Sequence, residues 1–311
     1  MGKIRIGTRE SQLAVWQATK VKELLAQHDF ESELVFIKSE GDIDLVTPLY
    51  EIGVQGIFTR SLDAALLNNK IDVAVHSLKD VPTQLPNGIL QAAVLKRGPV
   101  NDLLVFKNKK VQENYASLTT GDSRFTVATS SIRRKAQWLN KYASHIIENL
   151  RGNVNTRLKK LQEEDWDAAI FAQAGLERIN LRPPTSVILE WMLPAPAQGA
   201  IVAMCRENDH FAFDACQHFN DEETERCTKI ERDFLRKLLG GCSTPISALA
   251  EIKGSQVYFK GNILSLDGSE KAEIEKIAEV NNSADLGKLA GEELLAKGGE
   301  EIAENIRHAA K

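Results

Sequence analysis

The 311-residue sequence predicts an α/β protein made of two α/β units followed by a smaller α+β unit. Three observations carry this prediction. From the N-terminus, short apolar or period-2 runs alternate with helix-period segments, the pattern of a largely parallel sheet flanked by helices. A proline-rich stretch with no sustained period, "LRPPTSVILEWMLPAPAQGA", then interrupts the alternation as a crossover between units would. Near the C-terminus, strand-like runs flank Asp267-Gly268, a hairpin signal.

The first unit opens with "IRIGT" as a strand, a helix over 11–27, the strand "LVFIKS", a helix over 58–67 and the strand "IDVAVHS". The alternation resumes with "LLVF", "TVATSS", a helix over 132–142, "HIIEN", a helix over 154–164 and "AAIFA". After a crossover near Pro194 to Gln198, the strand "AIVAMC" is expected to rejoin the first sheet. Beyond Asp209 come two helices, the strands "ISALAEI", "QVYFKGNILSL" and "KAEIEKIAEV", and one helix over 284–309. The expected domains are 1–97 with 195–208, 98–194 and 209–311.

Lys plus Arg (39) against Asp plus Glu (43) gives a formal charge of −4, which offers no general attraction to nucleic acid or to an anionic membrane. An anionic ligand must therefore be held by a local cluster. No apolar run approaches the roughly 18 residues needed to cross a bilayer, and "MGKIRIGTRE" lacks the apolar region of a signal peptide, so a cytoplasmic protein is expected. The cysteines are far apart with no C-x-x-C pair, and neither a metal site nor a disulfide is expected. Cys205, Cys216 and Cys227 read as small buried apolar residues. Cys242 does not, because in "KLLGGCSTPISALA" it follows two glycines on a loop between a helix and a strand.

Four segments share one design, in which a strand ends, polar residues with arginine follow, and a helix begins. They are "GTRESQLAVWQ" with Arg9, Ser11 and Gln17; "ATSSIRRKAQ" with Thr129, Ser130, Ser131, Arg133 and Arg134; "LRGNVNTRLKKL" with Arg151 and Arg157; and "AGLERINL" with Arg178 near a helix end. One arginine on a helix is ordinarily solvated. Repetition at strand ends, where open α/β sheets bind ligands, points instead to a shared cleft. Guanidinium pairs bidentately with carboxylate, so a ligand with several carboxylates suits the set. A phosphate would satisfy the same logic, but neither familiar glycine-rich phosphate loop is present. A fifth segment, "IDVAVHSLKDVPTQLP", brings Lys79 and Asp80 to a strand end. Asp80 is either an ion-pair partner of the arginines or a group that stabilises a developing cation and relays a proton. His76 reads as a packed core residue.

Taken in order, "TRESQLA", "VHSLKDVPT", "TSSIRR", "RGNVNTRL", "AQGAI" and "GGCSTP" closely resemble the porphobilinogen deaminase (hydroxymethylbilane synthase) family over nearly the whole chain. The resemblance implies a transferase of tetrapyrrole and haem synthesis that joins four porphobilinogen units, releasing ammonia, into hydroxymethylbilane. It implies two α/β domains of the periplasmic solute-binding-protein type and an α+β domain whose Cys242 carries a dipyrromethane cofactor through a thioether. Lys79, Asp80, Thr129, Ser130, Ser131, Arg133 and Arg134 would hold the cofactor. Arg9, Ser11, Gln17, Arg151, Arg157, Arg178 and Gln198 would handle porphobilinogen and the growing chain, with Asp80 catalytic. A monomer with no nucleic-acid or membrane partner is also implied. The chain differs from the family's usual pattern at Gln55, Gly98 and Leu239. Two rivals remain at this point: a noncatalytic two-domain anion-binding protein, and a thiol enzyme using Cys242 with a histidine base that the sequence does not reveal.

Overall fold

The alternation of apolar runs resolves into three sheets in the computed structural model, which describes residues 2–38, 59–118, 124–238 and 244–309. The first stretch supplies β1 (Ile4–Thr8), α1 (Gln12–Ala26), β2 (Ser32–Phe36), α2 (Arg60–Leu67), β3 (Val73–Ser77) and β4 (Ile89–Val94). The second supplies β5 (Asp102–Phe106), α3 (Lys109–Leu118), β6 (Thr126–Ala128), α4 (Ile132–Lys141), β7 (Ile146–Glu148), α5 (Val154–Glu163), β8 (Ala168–Ala172), α6 (Gln173–Arg178) and β9 (Ser186–Ile188). The chain then gives β10 (Ile201–Arg206), α7 (His210–Gln217), α8 (Glu222–Leu238), β11 (Ile246–Lys253), β12 (Gln256–Leu264), β13 (Lys271–Glu279), α9 (Leu286–Leu294) and α10 (Glu300–Ala309).

The first sheet runs β2-β1-β3-β10-β4 and the second β7-β6-β8-β5-β9. The two are built alike, and neither is purely parallel. β10 is antiparallel to both β3 and β4, and β5 is antiparallel to both β8 and β9. The reason is connectivity. Each reversed strand is the one that arrives from the other lobe, so it enters at the edge where its neighbours end and must run against them. The carboxyl ends of the parallel strands of both sheets consequently face the crossovers. This is the expected α/β class, two α/β lobes plus a smaller α+β unit.

The crossovers run side by side, with Gly98 N donating to Gly199 O at 3.0 Å and Leu95 N to Ile201 O at 3.0 Å. Gly199 has φ +86°, and a Cβ there would stand 2.7 Å from Gly98 O, so only glycine fits this close approach.

The third sheet, β11-β12-β13, is an antiparallel meander packed on α8, α9 and α10 around Phe234, Phe259 and Leu294. Its hairpin tip docks on the second lobe, where Asn140 Nδ2 donates to Gly268 O at 2.7 Å. On α8, Glu231 is fully buried and accepts from Arg97 Nη1 (2.6 Å) and Nη2 (2.9 Å), Ala197 N (2.6 Å) and Ala250 N (2.8 Å). One carboxylate thus ties both crossovers to the third unit.

Several elements differ from the sequence reading. α7 buries Ala212, Ala215 and Cys216 in the core of the first sheet, so that lobe extends past residue 208. The proline-rich stretch contains β9, an edge strand drawn into place by pairing with β5. The C-terminal helix is two helices, broken where Gly298 takes φ +101°. β4 and α3 add to the elements that the sequence pattern predicts. Cys205, Cys216 and Cys227 are buried, and burial pushes the Cys205 and Cys227 thiols up to about 12. Among the described residues no helix is long and apolar enough to cross a membrane.

Candidate active site

At the junction of the lobes, each cation is brought in by the local structure its sequence dictates. Ser131, extended at φ −87°, caps α4 by accepting from Arg134 N at 3.4 Å, and Thr129 Oγ1 accepts from Ser131 N at 3.3 Å. The cap starts the helix so that Arg133 and Arg134 fall in its first turn, at the positive end of the helix dipole. The next loop turns at Gly152, with φ +116° and a carbonyl that accepts from Arg157 Nε at 2.7 Å. Asn153 then caps α5, accepting from Thr156 N at 3.0 Å. In the first lobe Ser11 caps α1, accepting from Ala14 N at 3.4 Å, and Lys79 and Asp80 lie on a 3-10 turn that directly follows β3.

Asp102, fully buried at the start of β5, organises the second lobe's charges. Arg133 Nη2 donates to its Oδ2 at 2.6 Å, Arg134 Nη2 to its Oδ1 at 2.8 Å, and Gln198 Nε2 to its Oδ1 at 2.9 Å. Burial alone would raise this carboxyl, but the two guanidiniums override it and hold the group below the usual carboxylate range. Gln198 continues the chain of contacts, accepting from Lys79 Nζ at 3.3 Å and donating to Val100 O at 2.7 Å. Lys79, in the first lobe, is therefore braced by the same cluster that holds Arg133 and Arg134.

Burial pulls the Lys79 ammonium down to about 8, Asp80 and Asp102 opposing the fall and Arg134 and Arg133 adding to it. Burial also pulls the Arg157 guanidinium down to about 10, with Arg134 and Arg151 acting in the same direction and Asp80 against. Asp80 thus acts on Lys79 and Arg157 from opposite lobes. Arg178 spans the junction, its Nη2 donating to Gly199 O at 2.6 Å and its guanidinium lying 5.6 Å from the Trp16 ring centre. Burial holds it near 10 as well. Arg9 stands close enough to buried His76 to reinforce the effect of burial, which takes that imidazole down to about 3 and keeps it neutral. That matches a packed histidine.

The structure therefore brings Lys79, Asp80, Thr129, Ser130, Ser131, Arg133, Arg134, Arg151 and Arg157 together at the strand ends. Several of the expected site residues bond to protein groups: Arg134 Nη1 donates to Ile170 O at 2.9 Å, and Arg157 and Arg178 donate to Gly152 O and Gly199 O. Arg133 also donates to Leu193 O at 2.7 Å, the Gln198 amide is shared among Lys79, Val100 and Asp102, and buried Gln17 donates to Ser77 Oγ at 2.8 Å. Cys242, Gln55 and Leu239 lie outside the described residues. Sequence reasoning missed Asp102 and Glu231. Asp102 opens the otherwise apolar strand "DLLVF", and Glu231 falls in the buried stripe of Cys227, Ile230, Phe234 and Leu238 on α8. A charge in an apolar stripe requires a buried partner, and that was the available signal.

A polycarboxylate ligand fits this donor set. Lys79, Arg134, Arg151 and Arg157 share the junction with Asp80, while Asp102 is already taken up by Arg133 and Arg134. The buried Arg134 Nε has no hydrogen-bond partner among the described residues.

Two family models match the chain: "Porphobilinogen deaminase, dipyromethane cofactor binding domain" over residues 4–214 and "Porphobilinogen deaminase, C-terminal domain" over residues 225–296. Among curated relatives, the porphobilinogen deaminase of Desulforamulus reducens is 40% identical, with 98% of each chain covered. That of Chlorobium phaeobacteroides is 39% identical, with 98% of each covered. The chloroplastic enzyme of Oryza sativa subsp. japonica is 41% identical, covering 95% of this chain and 84% of its own. A solved structure of the methionine-binding protein MetQ is 13% identical with TM-score 0.44, covering 72% of this chain and 92% of that one.

The depressed Lys79 value has a testable sign. A lysine at about 8 when folded and 10.5 when unfolded carries a destabilising desolvation cost that is fully present below pH 8 and relieved between pH 8 and 10.5. In cofactor-free protein, the urea stability of the wild type relative to Lys79→Met is therefore expected to rise across that window. A flat difference would show that the Lys79 ammonium is not desolvated.

Proposed function

The chain belongs to the porphobilinogen deaminase family, and from that premise we propose how the residues at its lobe junction carry out the family's reaction. The family places the chain among hydroxymethylbilane synthases, transferases of tetrapyrrole synthesis that act on porphobilinogen and use a dipyrromethane cofactor. The observation that carries the residue-level reading is one carboxylate, Asp80, set among cations drawn from both lobes.

In this reading Cys242 holds the dipyrromethane through a thioether. When bound, the cofactor supplies the free pyrrole α-carbon from which the chain grows. Lys79, Ser130, Ser131 and Arg134 take its acetate and propionate groups. Thr129 supports this set by steadying Ser131, and Arg133 by fixing Asp102 beside Arg134. Each added porphobilinogen brings two more carboxylates, which Arg9, Ser11, Arg151, Arg157 and Arg178 receive. Gln198 and Gln17 act indirectly, steadying Lys79 and Ser77. Departure of ammonia from porphobilinogen leaves a methylene-pyrrole cation. Asp80 stabilises that cation, accepts hydrogen bonds from pyrrole N–H groups, and takes up the proton released when the new carbon–carbon bond forms. Water ends the chain after four additions. The division into three domains, and a cytoplasmic monomer that binds neither nucleic acid nor membrane, complete the proposal; the three separate sheets and the net charge of −4 support it.

Cys242→Ser is expected to fold yet carry no covalent cofactor, because a hydroxyl is a far weaker nucleophile than a thiol near neutral pH. Intact mass reads this directly, and a retained increment of two porphobilinogens less two ammonias would place the anchor elsewhere. Asp80→Asn, loaded with cofactor from preformed product, is expected to turn over porphobilinogen at least about a hundredfold more slowly. Near-normal turnover at matched cofactor content would leave Asp80 as an ion-pair partner only.

A further inference from the structure

Arg232 lies on α8, one residue beyond the buried Glu231, and reaches from the third unit into the first lobe. Its Nη1 donates to Val81 O at 2.8 Å and to Leu78 O at 3.3 Å, and its Nη2 donates to Pro82 O at 2.6 Å. These carbonyls bracket Lys79 and Asp80 on both sides. The turn they belong to is one 3-10 turn, tied at its start by Leu78 N donating to Ala200 O at 3.0 Å and closed by Val81 N donating to Leu78 O at 3.2 Å. A charged, planar fork across three carbonyls fixes such a backbone more tightly than neutral bonds do.

Asp233, next along the helix, is taken by Lys229 at 2.5 Å and by Arg236 on the exposed side. Arg232 directs its fork at the turn. Glu231 at the same level of α8 holds both crossovers, so one point on the helix fixes the hinge and the Lys79–Asp80 turn together.

We propose that Arg232 is a positioning residue for the reaction, holding the backbone of residues 78–82 so that the Asp80 carboxylate is presented to the lobe junction. The inference rests on Asp80 being the reacting carboxylate. It makes α8 a strut between that carboxylate and the segment that follows Leu238, where Cys242 lies in the sequence. Arg232 need not touch substrate; it acts through the turn.

The test measures kcat and KM for porphobilinogen with wild type, Arg232→Met, Asp80→Asn and the double variant, each matched for cofactor content by intact mass. Displacing a reacting group by a fraction of an ångström costs rate rather than binding, so Arg232→Met is expected to lower kcat about tenfold with KM within about twofold. In the Asp80→Asn background the same substitution is expected to lower kcat by less than about twofold, because the group it positions is already gone. Arg232→Lys keeps the charge but not the fork, and falls between wild type and Arg232→Met. It carries the same comparison if the methionine variant does not fold. Wild-type kcat in Arg232→Met and Arg232→Lys, or equal losses in both backgrounds, would overturn the proposal and leave Arg232 a stabilising contact. An active Asp80→Asn would remove the reading beneath it, and that result is seen separately from either Arg232 variant.

Discussion

The junction depends on the Asp102 carboxylate. It is buried at the first residue of the strand that enters the second lobe, and two guanidiniums from the first turn of α4 close on it. Gln198, from the returning crossover, closes on it as well and passes the contact to Lys79. The outgoing strand, the incoming crossover, a helix start and a lysine of the other lobe therefore meet at one ionised group. A buried pair of this kind adds little net stability, because desolvation offsets the attraction, yet removing one partner costs about 3–5 kcal/mol by stranding the other charge. Its value lies in geometry: the arginines cannot swing to solvent, and the positive field they leave is directed at the strand ends.

The third unit holds the same junction from behind. Glu231 is a second buried carboxylate, binding Arg97 of the outgoing crossover and the Ala197 backbone of the returning one. Gln137 of α4 adds a further link, donating to Leu193 O at 2.9 Å and to Ser247 Oγ at 3.0 Å. The helix that leads toward Cys242 is therefore packed into the hinge and does not merely trail from it. A long, flexible ligand can be anchored in one unit and read by the other two only if the three keep their register, and these contacts supply it.

Much of the fold was legible in the sequence because hydrophobic period reports burial directly. The carboxyl-end loops with Ser, Thr and Arg were legible because helix caps have fixed chemistry. What escaped was set by contacts distant along the chain. β9 is three residues within a proline-rich stretch, and only the edge of β5 makes it a strand. The reversal of β5 and β10 follows from which lobe each arrives from, which no local window contains. The Gln198 amide bonds to Lys79, Val100 and Asp102, contacts the sequence does not reveal because the buried carboxylate lies 96 residues away. Asp102 and Glu231 are hard to read from the sequence because each sits in an apolar run and their arginine partners Arg133 and Arg97 lie 31 and 134 residues away.

The central claim of the proposal is that the cations at the lobe junction, Lys79 and Arg134 among them, receive the cofactor's carboxylates. The most direct measurement is the melting temperature of cofactor-free against cofactor-loaded protein, repeated at rising salt. Completion of a partly buried cation cluster predicts a markedly higher melting temperature for the loaded form, with only part of the gain lost to salt, because buried pairs are weakly screened. Equal melting temperatures for the two forms would contradict the account.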